Sequence, residues 1–225
     1  EDFGSRVLSV DIGGSASDIT LADIGFGGDG MPIGAQLISK SGKLIGGSAI
    51  DDLIAEKAFE IQGLKHPSSY NRKSYLKAIR AGEAVKKKLS VFKKVNEVYD
   101  DLQASLTINM YFKQEDVNDI VLTSHVGAGI TELVTRSISE VNQRGIETSS
   151  ISGAIMVGGC TLCPPIRAVL DQAFSDIGLE LFDSPSEADR FSAVVFGALR
   201  SVDAPISQDY LLHDYALRLK ARNGN

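Results

Sequence analysis

The sequence predicts an α/β or α+β protein built on a mixed β-sheet with flanking helices. Two observations lead to this class. Segments whose apolar residues recur with period two alternate along the chain with segments whose apolar residues recur at helical spacing. Three extended segments are followed by glycine pairs, as expected where a chain turns tightly: Gly13-Gly14, Gly46-Gly47 and Gly158-Gly159.

The first 40 residues predict a three-stranded antiparallel meander. An apolar strand covers residues 7–12, and two further strands cover residues 19–22 and 35–40. A glycine-rich tip at residues 25–34 joins the second strand to the third.

Two helices are predicted next. The first follows Gly47, with Ser48 as its N-cap and with Asp51 and Asp52 in its first turn, near the positive end of the helix dipole. The second runs from near Ser69 to Ser90.

Along the rest of the chain, segments with the period of a strand alternate with segments with the period of a helix. Strands are predicted at residues 104–111, 120–123, 154–157 and 179–182, and helices at residues 130–141 and 166–177. A capping box formed by Ser184, Pro185 and Glu187 predicts the start of a last helix.

Composition excludes several classes of protein. The 225 residues contain no apolar run of about 18 residues, the length that a membrane span needs. Lys+Arg 23 against Asp+Glu 29 gives a net charge of −6, which argues against nucleic-acid binding. Two cysteines, Cys160 and Cys163, are too few for a disulfide scaffold, which favours a reducing compartment. The cytoplasm is expected, with the endoplasmic reticulum or another organelle as the alternative. Their C-x-x-C spacing permits a redox or zinc site, but no further ligands have matching spacing, which favours structural thiols.

The turn between the first two strands carries an aspartate at each end. Asp11 and Asp18 could hold Mg²⁺ through water, while the glycine pair between them could direct backbone N–H groups at a phosphate. The alternative is a plain hairpin turn with solvated aspartates. The other two glycine pairs each precede a helix, whose N-terminal amides are expected to be free. Three such turns favour a nucleotide site.

A polar stripe is predicted on the second helix. Glu83, Lys86, Lys87 and Ser90 are spaced at i, i+3, i+4 and i+7, so they share one helix face. This face could contact a nucleoside, or it could be a solvent-exposed surface with a Glu83–Lys87 ion pair.

Four segments together resemble the second half of the actin-like ATPase domain of the seventy-kilodalton heat-shock protein chaperones. Residues 11–18 are similar to the second phosphate loop of that family, D-L-G-G-G-T-x-D, and residues 44–51 to its L-G-G-E-D-F-D turn. Residues 83–90 resemble the adenosine helix, E-x-A-K-R-x-L-S, and residues 157–164 the adenosine loop, V-G-G-S-T-R-I-P. Their order and approximate spacing agree between Arg6 and Arg200.

The resemblance implies an actin-like ATPase lobe of the ribonuclease H-like fold that binds ATP or ADP with Mg²⁺. Asp11 and Asp18 would be the catalytic residues, acting through Mg²⁺ and its waters. The implied nucleotide-binding residues are Gly13, Gly14, Ser15, Ala16, Gly46, Gly47, Glu83, Lys86, Lys87, Ser90, Gly158, Gly159, Cys160 and Leu162.

The resemblance also implies an organisation and partners. Residues 1–46 and 118–202 would form the core subdomain of the lobe, residues 47–117 an inserted upper subdomain, and residues 203–225 the interdomain linker and tail. The implied partners are a first ATPase lobe and a peptide-binding domain of the same parent, a J-domain co-chaperone, a nucleotide exchange factor and unfolded client peptides. Without the first lobe, little ATP hydrolysis is expected. The linker D-L-L-L-L-D is matched by Asp209, Leu211, Leu212 and Asp214.

Three positions depart from the family pattern. Ala16 stands where the family has a threonine near the γ-phosphate, Leu162 where it has an arginine that stacks on adenine, and Ser15 where it has a third glycine. The first two favour an alternative, a non-hydrolysing relative that regulates an active chaperone as an exchange factor does. A third alternative is an actin-like scaffold protein.

Overall fold

The computed structural model describes residues 3–30 and 32–183, together with residues 186, 192, 193 and 195. In chain order, the strands are β1 (Phe3–Ile12), β2 (Ser17–Phe26), β3 (Pro32–Lys43), β4 (Lys94–Asp101), β5 (Leu106–Lys113), β6 (Gly153–Val157) and β7 (Leu181–Phe182). The α-helices are α1 (Gly47–Ile61), α2 (Arg72–Leu89), α3 (Gln114–Leu122), α4 (His125–Gln143) and α5 (Pro164–Asp176).

The main sheet is mixed, as predicted. Its strand order is β3-β2-β1-β6-β7, in which β1, β2 and β3 form the predicted antiparallel meander. Strands β6 and β7 continue the sheet in parallel with β1. Alternate residues of β1 (Leu8, Val10 and Ile12) are buried in the hydrophobic core, and α4 packs against β2 and β3. The carboxyl ends of β1 and β6 therefore lie side by side.

The residues that follow β3 and precede α3 in the chain form a smaller unit of structure. Strands β4 and β5 form a two-stranded antiparallel sheet, and α2 packs both on this sheet and on α1. The Tyr99 ring of β4 meets the Phe59 ring of α1 edge to face at a centroid distance of 5.3 Å. This packing fixes α1 and α2 relative to each other.

One strand prediction was wrong, and one strand was not predicted. The strand predicted at residues 120–123 is the end of α3, in which Val117 and Val121 are buried at helical spacing. A carboxylate oxygen of Asp116 accepts a hydrogen bond from the Lys113 amide (2.9 Å) and caps the start of this helix. The strand β4 was not predicted, and its partner β5 begins at Leu106, two residues later than expected.

The starts of the first two helices also differ from the prediction. The N-cap of α1 is Gly46 and not Ser48, so Asp51 and Asp52 lie beyond the first turn. Helix α2 begins at Arg72, because the Asn71 side chain accepts a hydrogen bond from the Ser74 amide (2.9 Å) and caps it.

Some predictions concern residues outside the described part of the chain. They are the capping box at Ser184, Pro185 and Glu187, the linker residues Asp209, Leu211, Leu212 and Asp214, and the last predicted helix except for residues 192, 193 and 195, which are helical. The predicted subdomain boundary at residue 118 lies within α3, and the division into subdomains stays a prediction. No helix in the described residues is both long and apolar enough to cross a membrane.

Candidate functional site

A pocket of about 510 Å³ lies where three segments distant in sequence converge. They are the turn after β1, the second half of α2 and the turn after β6. Grooves of about 450 Å³ beside Tyr111 and about 480 Å³ beside Ser139 contain none of the predicted site residues. The pocket is lined by Gly14, Glu83, Lys86, Lys87, Ser90, Gly159, Cys160, Leu162 and Cys163.

The turn after β1 presents two unpaired backbone amides. The carbonyl oxygens of Gly13 and Gly14 accept hydrogen bonds from the amides of Gly47 (3.0 Å) and Ser48 (2.7 Å) at the start of α1. In a trans peptide the N–H points away from the C=O, so the amides of Gly14 and Ser15 point away from α1. Neither amide has a protein acceptor within the described residues, and both residues are exposed. These two N–H groups can bind an anion.

The glycine pair before α1 allows this arrangement by its small size. A Cβ atom on Gly46 would lie 2.5 Å from the Gly13 oxygen and 2.8 Å from the Ser15 nitrogen, closer than real Cβ contacts. The prediction that the N-terminal amides of α1 are free was wrong for Gly47 and Ser48, because the turn after β1 occupies them. Gly46 and Gly47 therefore pack against the side of the turn that is opposite to its free amides.

The two predicted catalytic carboxylates lie opposite each other. Asp11 and Asp18 are directly paired in the register of β1 and β2, an arrangement in which like charges repel. Burial raises the pKa of Asp11, the charge of Asp18 raises it further, and the Lys40 ammonium opposes both effects. Both carboxylates lie at the exposed turn with the free amides. This donor set fits a hydrated Mg²⁺, which keeps several waters and takes one or two carboxylates.

The turn after β6 packs closely on the end of β1. Gly158 has a φ of 85°, and a Cβ atom on it would lie 2.3 Å from a carboxylate oxygen of Asp11 and 2.6 Å from the Ile12 oxygen. The Gly158 oxygen accepts hydrogen bonds from both the amide (3.2 Å) and the hydroxyl (2.7 Å) of Thr161, which shape the short turn that follows. A glycine is required here for both conformation and space.

The predicted polar stripe of α2 divides into two parts. Glu83 and Lys87 form an exposed ion pair of 2.6 Å, which lowers the pKa of Glu83 and keeps its carboxylate ionised. Lys86 is buried, and its Nζ lies 2.6 Å from a carboxylate oxygen of Asp51 and 2.8 Å from the Gly47 oxygen. The Ser90 hydroxyl, at the end of the stripe, donates to the Lys86 oxygen at 3.3 Å.

Asp51 was not predicted as part of the site. It is 5% exposed; burial raises its pKa, and the Lys86 ammonium lowers it. A Cβ atom on Gly82 of α2 would lie 2.2 Å from the backbone carbonyl oxygen of Asp51, so α1 and α2 cross in near contact at this point. A glycine inside a helical pattern is the one sequence signal that could have indicated this crossing.

The remaining wall is formed by the turn after β6 and the start of α5. Leu162 and Cys160 are half-buried, and Cys163 is buried as the N-cap residue of α5. Both thiols are free, and burial raises the pKa of Cys160 and raises that of Cys163 to about 12. Thiols protonated at neutral pH are poor nucleophiles, which favours a structural role. Within the described residues no group of three or more metal-ligating side chains occurs.

The sequence matches one protein family over almost its whole length. The family model described as Hsp70 protein matches residues 1–212. The chain belongs to the Hsp70 family. Membership in the Hsp70 family confirms the predicted actin-like ATPase fold, and the described residues show its mixed sheet with flanking helices. It also supports assignment to an Hsp70-like chaperone nucleotide-binding domain.

The structure brings together most of the residues predicted from the Hsp70 resemblance. Gly14, Gly159, Cys160, Leu162 and the four stripe residues of α2 line one pocket. Gly13, Ser15 and Ala16 belong to the adjoining turn, and Asp11 and Asp18 flank it. Gly46, Gly47 and Gly158 lie behind this surface, packed against the turn and against Asp11. The nucleotide contacts themselves stay predictions.

Proposed function

We propose that the chain is the second lobe of an Hsp70 nucleotide-binding domain and binds ADP or ATP with Mg²⁺ in this pocket. The observation that carries the proposal is the pair of outward-pointing amides of Gly14 and Ser15 beside two carboxylates. Backbone N–H groups that point at one place bind phosphate oxygens without needing a basic side chain.

The carboxylates and the amides have complementary tasks in this proposal. Asp11 and Asp18 would hold Mg²⁺ through water, and the Gly14 and Ser15 amides would donate to phosphate oxygens. The chemistry that Mg²⁺ would supply is neutralisation of negative charge on the phosphates. The Ala16 side chain cannot donate a hydrogen bond, so at this position only the backbone is available to a phosphate.

The nucleoside lies between α2 and the turn after β6. The ionised carboxylate of Glu83 accepts hydrogen bonds from ribose hydroxyls, and Lys87 and Ser90 supply further polar groups on the same face. Lys86 has one N–H left to donate, because the Asp51 carboxylate and the Gly47 oxygen take the other two. Leu162 offers the base an apolar contact.

In the same proposal, residues 209–214 carry the nucleotide state to a peptide-binding domain. Further partners, proposed from the family resemblance alone, are a first ATPase lobe, a J-domain co-chaperone, a nucleotide exchange factor and client peptides. The proposed compartment is the cytoplasm.

Titration calorimetry of the chain with ADP, with and without Mg²⁺, tests the proposal. We expect wild-type protein to bind Mg-ADP, and Asp11→Asn to weaken that binding at least about tenfold, a loss of about 1.4 kcal/mol. The same variant should affect metal-free ADP far less, because it removes a magnesium contact and not an amide. The matched control is Asp119→Asn, an exposed carboxylate of α3 outside the pocket. A folded wild-type protein that binds neither ADP nor ATP would contradict the proposal.

Ala16 and Leu162 favour a second candidate, a non-hydrolysing chaperone regulator. Both residues remove a contact that the family pattern supplies to ATP, one near the γ-phosphate and one on the base. Single-turnover measurements on the intact parent protein separate the candidates. Turnover that Asp11→Asn abolishes supports an ATPase, and binding without turnover supports the regulator. The Hsp70 match over residues 1–212 favours both over an actin-like scaffold.

A further inference from the structure

A lysine lies beside the two carboxylates of the turn after β1. Asp18 is paired with Gly42 on β3, and Thr20 with Lys40, so Lys40 is the diagonal neighbour of Asp18 on one face of the sheet. The Lys40 Nζ lies 3.7 Å from a carboxylate oxygen of Asp18. Lys40 therefore supplies a positive charge to the site from a third strand.

Gly42 makes this approach possible. A Cβ atom at Gly42 would lie 2.7 Å from the same carboxylate oxygen of Asp18 that faces Lys40. The carboxylate thus lies over the backbone of β3 in the space that a side chain would occupy. Asp18 leans toward Lys40 because the residue opposite it is a glycine.

The charge of Lys40 lies close to both carboxylates, because Asp11 is directly paired with Asp18 across β1 and β2. Its contact with Asp18 is long, and its side chain is 53% exposed, so the ammonium group can move at little cost. A mobile ammonium group can pair with the carboxylates when no other anion is bound, and can contact an added anion when one is present.

We propose that Lys40 balances the charge of Asp11 and Asp18 when no divalent cation is bound, and contacts the phosphates of a bound nucleotide. This inference rests on the proposed function for its nucleotide part only. Two opposite effects follow. Lys40 competes with a divalent cation for the carboxylates, and it supports nucleotide binding without metal.

The variant Lys40→Gln tests both effects on the whole chain. We expect Mn²⁺, followed by electron paramagnetic resonance without nucleotide, to bind about threefold to fivefold more tightly to the variant. We expect ADP in excess chelator to bind about threefold more weakly. The control is Lys57→Gln, which removes a half-exposed lysine of α1 that pairs with Glu60 at 2.8 Å, away from the turn. Lys57→Gln should bind Mn²⁺ and ADP with the same affinities as wild type.

The opposite signs of the two effects separate the proposal from general damage. Weaker binding of both Mn²⁺ and ADP would indicate a distorted turn and would overturn it, as would an unchanged Mn²⁺ affinity. No Mn²⁺ binding by Lys40→Gln at millimolar concentration would also overturn it, since the carboxylates would then hold no cation. Absence of ADP binding to wild type contradicts the proposed function, and the Mn²⁺ measurement still decides the role of Lys40 at the carboxylates.

Discussion

The two walls of the pocket are built in different ways. The wall at the turn after β1 consists of backbone groups and glycines, whose positions depend on close contacts of Gly46 and Gly158 with neighbouring chain. The wall at α2 consists of charged side chains, among which Glu83–Lys87 is exposed and Asp51–Lys86 is buried. The first wall has no space for a side chain at Gly46 or Gly158, whereas the second depends on charge pairing.

The two walls should therefore be sensitive to different substitutions. Added atoms at a glycine should damage the first wall, and loss of one partner of an ion pair should damage the second. The two ion pairs have the same distance of 2.6 Å, but Asp51–Lys86 is buried and joins α1 to α2, whereas Glu83–Lys87 is exposed within α2. For the glycine wall, Gly158 can be compared with a glycine elsewhere in the chain that has a similar φ but open surroundings. Each contrast gives an experiment with a matched control.

The largest effect is expected from Asp51→Asn. Removing the carboxylate leaves the Lys86 ammonium buried without a counter-charge, which costs about 3 kcal/mol of unfolding free energy. The control is Glu83→Gln, which breaks an exposed pair worth about 0.3–0.5 kcal/mol. Urea denaturation of both variants measures the difference. Equal losses would show that burial does not distinguish the two pairs and would remove the contrast within the α2 wall.

A smaller loss of stability is expected from Gly158→Ala. Its positive φ costs an alanine about 1 kcal/mol, and displacing Asp11 and the end of β1 adds about 1–2 kcal/mol. The control is Gly145→Ala, at which φ is 78° and nothing lies within 4 Å of the added Cβ, so only the conformational cost applies. Equal unfolding free energies for the two variants would show that the close contact at Gly158 is unimportant.

The same contrast explains which parts of the site the sequence could predict. Glycine pairs and flanking aspartates identify the turn after β1, because close approach requires those residue types in any context. The direction of the free amides could not be predicted, since it depends on hydrogen bonds from Gly47 and Ser48 in a distant segment. Lys86 and Lys87 are adjacent and chemically identical, and only the packing of α1 decides which is buried.

The helices and strands also divide into those that the sequence could predict and those that it could not. The meander, α4, β6 and α5 were predicted because their apolar periods are long or are bounded by glycine. The four residues 120–123 form too short a segment for the period to decide between strand and helix, and the capping contact of Asp116 decides for α3. A local helix cap thus decided the case that periodicity left ambiguous.

The smallest effect is expected at Leu162, in the pocket wall formed by the turn after β6. Leu162→Arg adds a guanidinium group beside the proposed base site, and a cation–π contact there is worth about 0.5–1 kcal/mol, or about twofold to fivefold in ADP affinity. Leu162→Met, which keeps the size and removes no charge, should bind ADP as wild type does. Comparing ADP with ribose 5-phosphate, which has no base, shows where any gain arises. An equal gain for both ligands would indicate a contact with phosphate, and would mean that the nucleoside does not lie against the Leu162 side of the pocket.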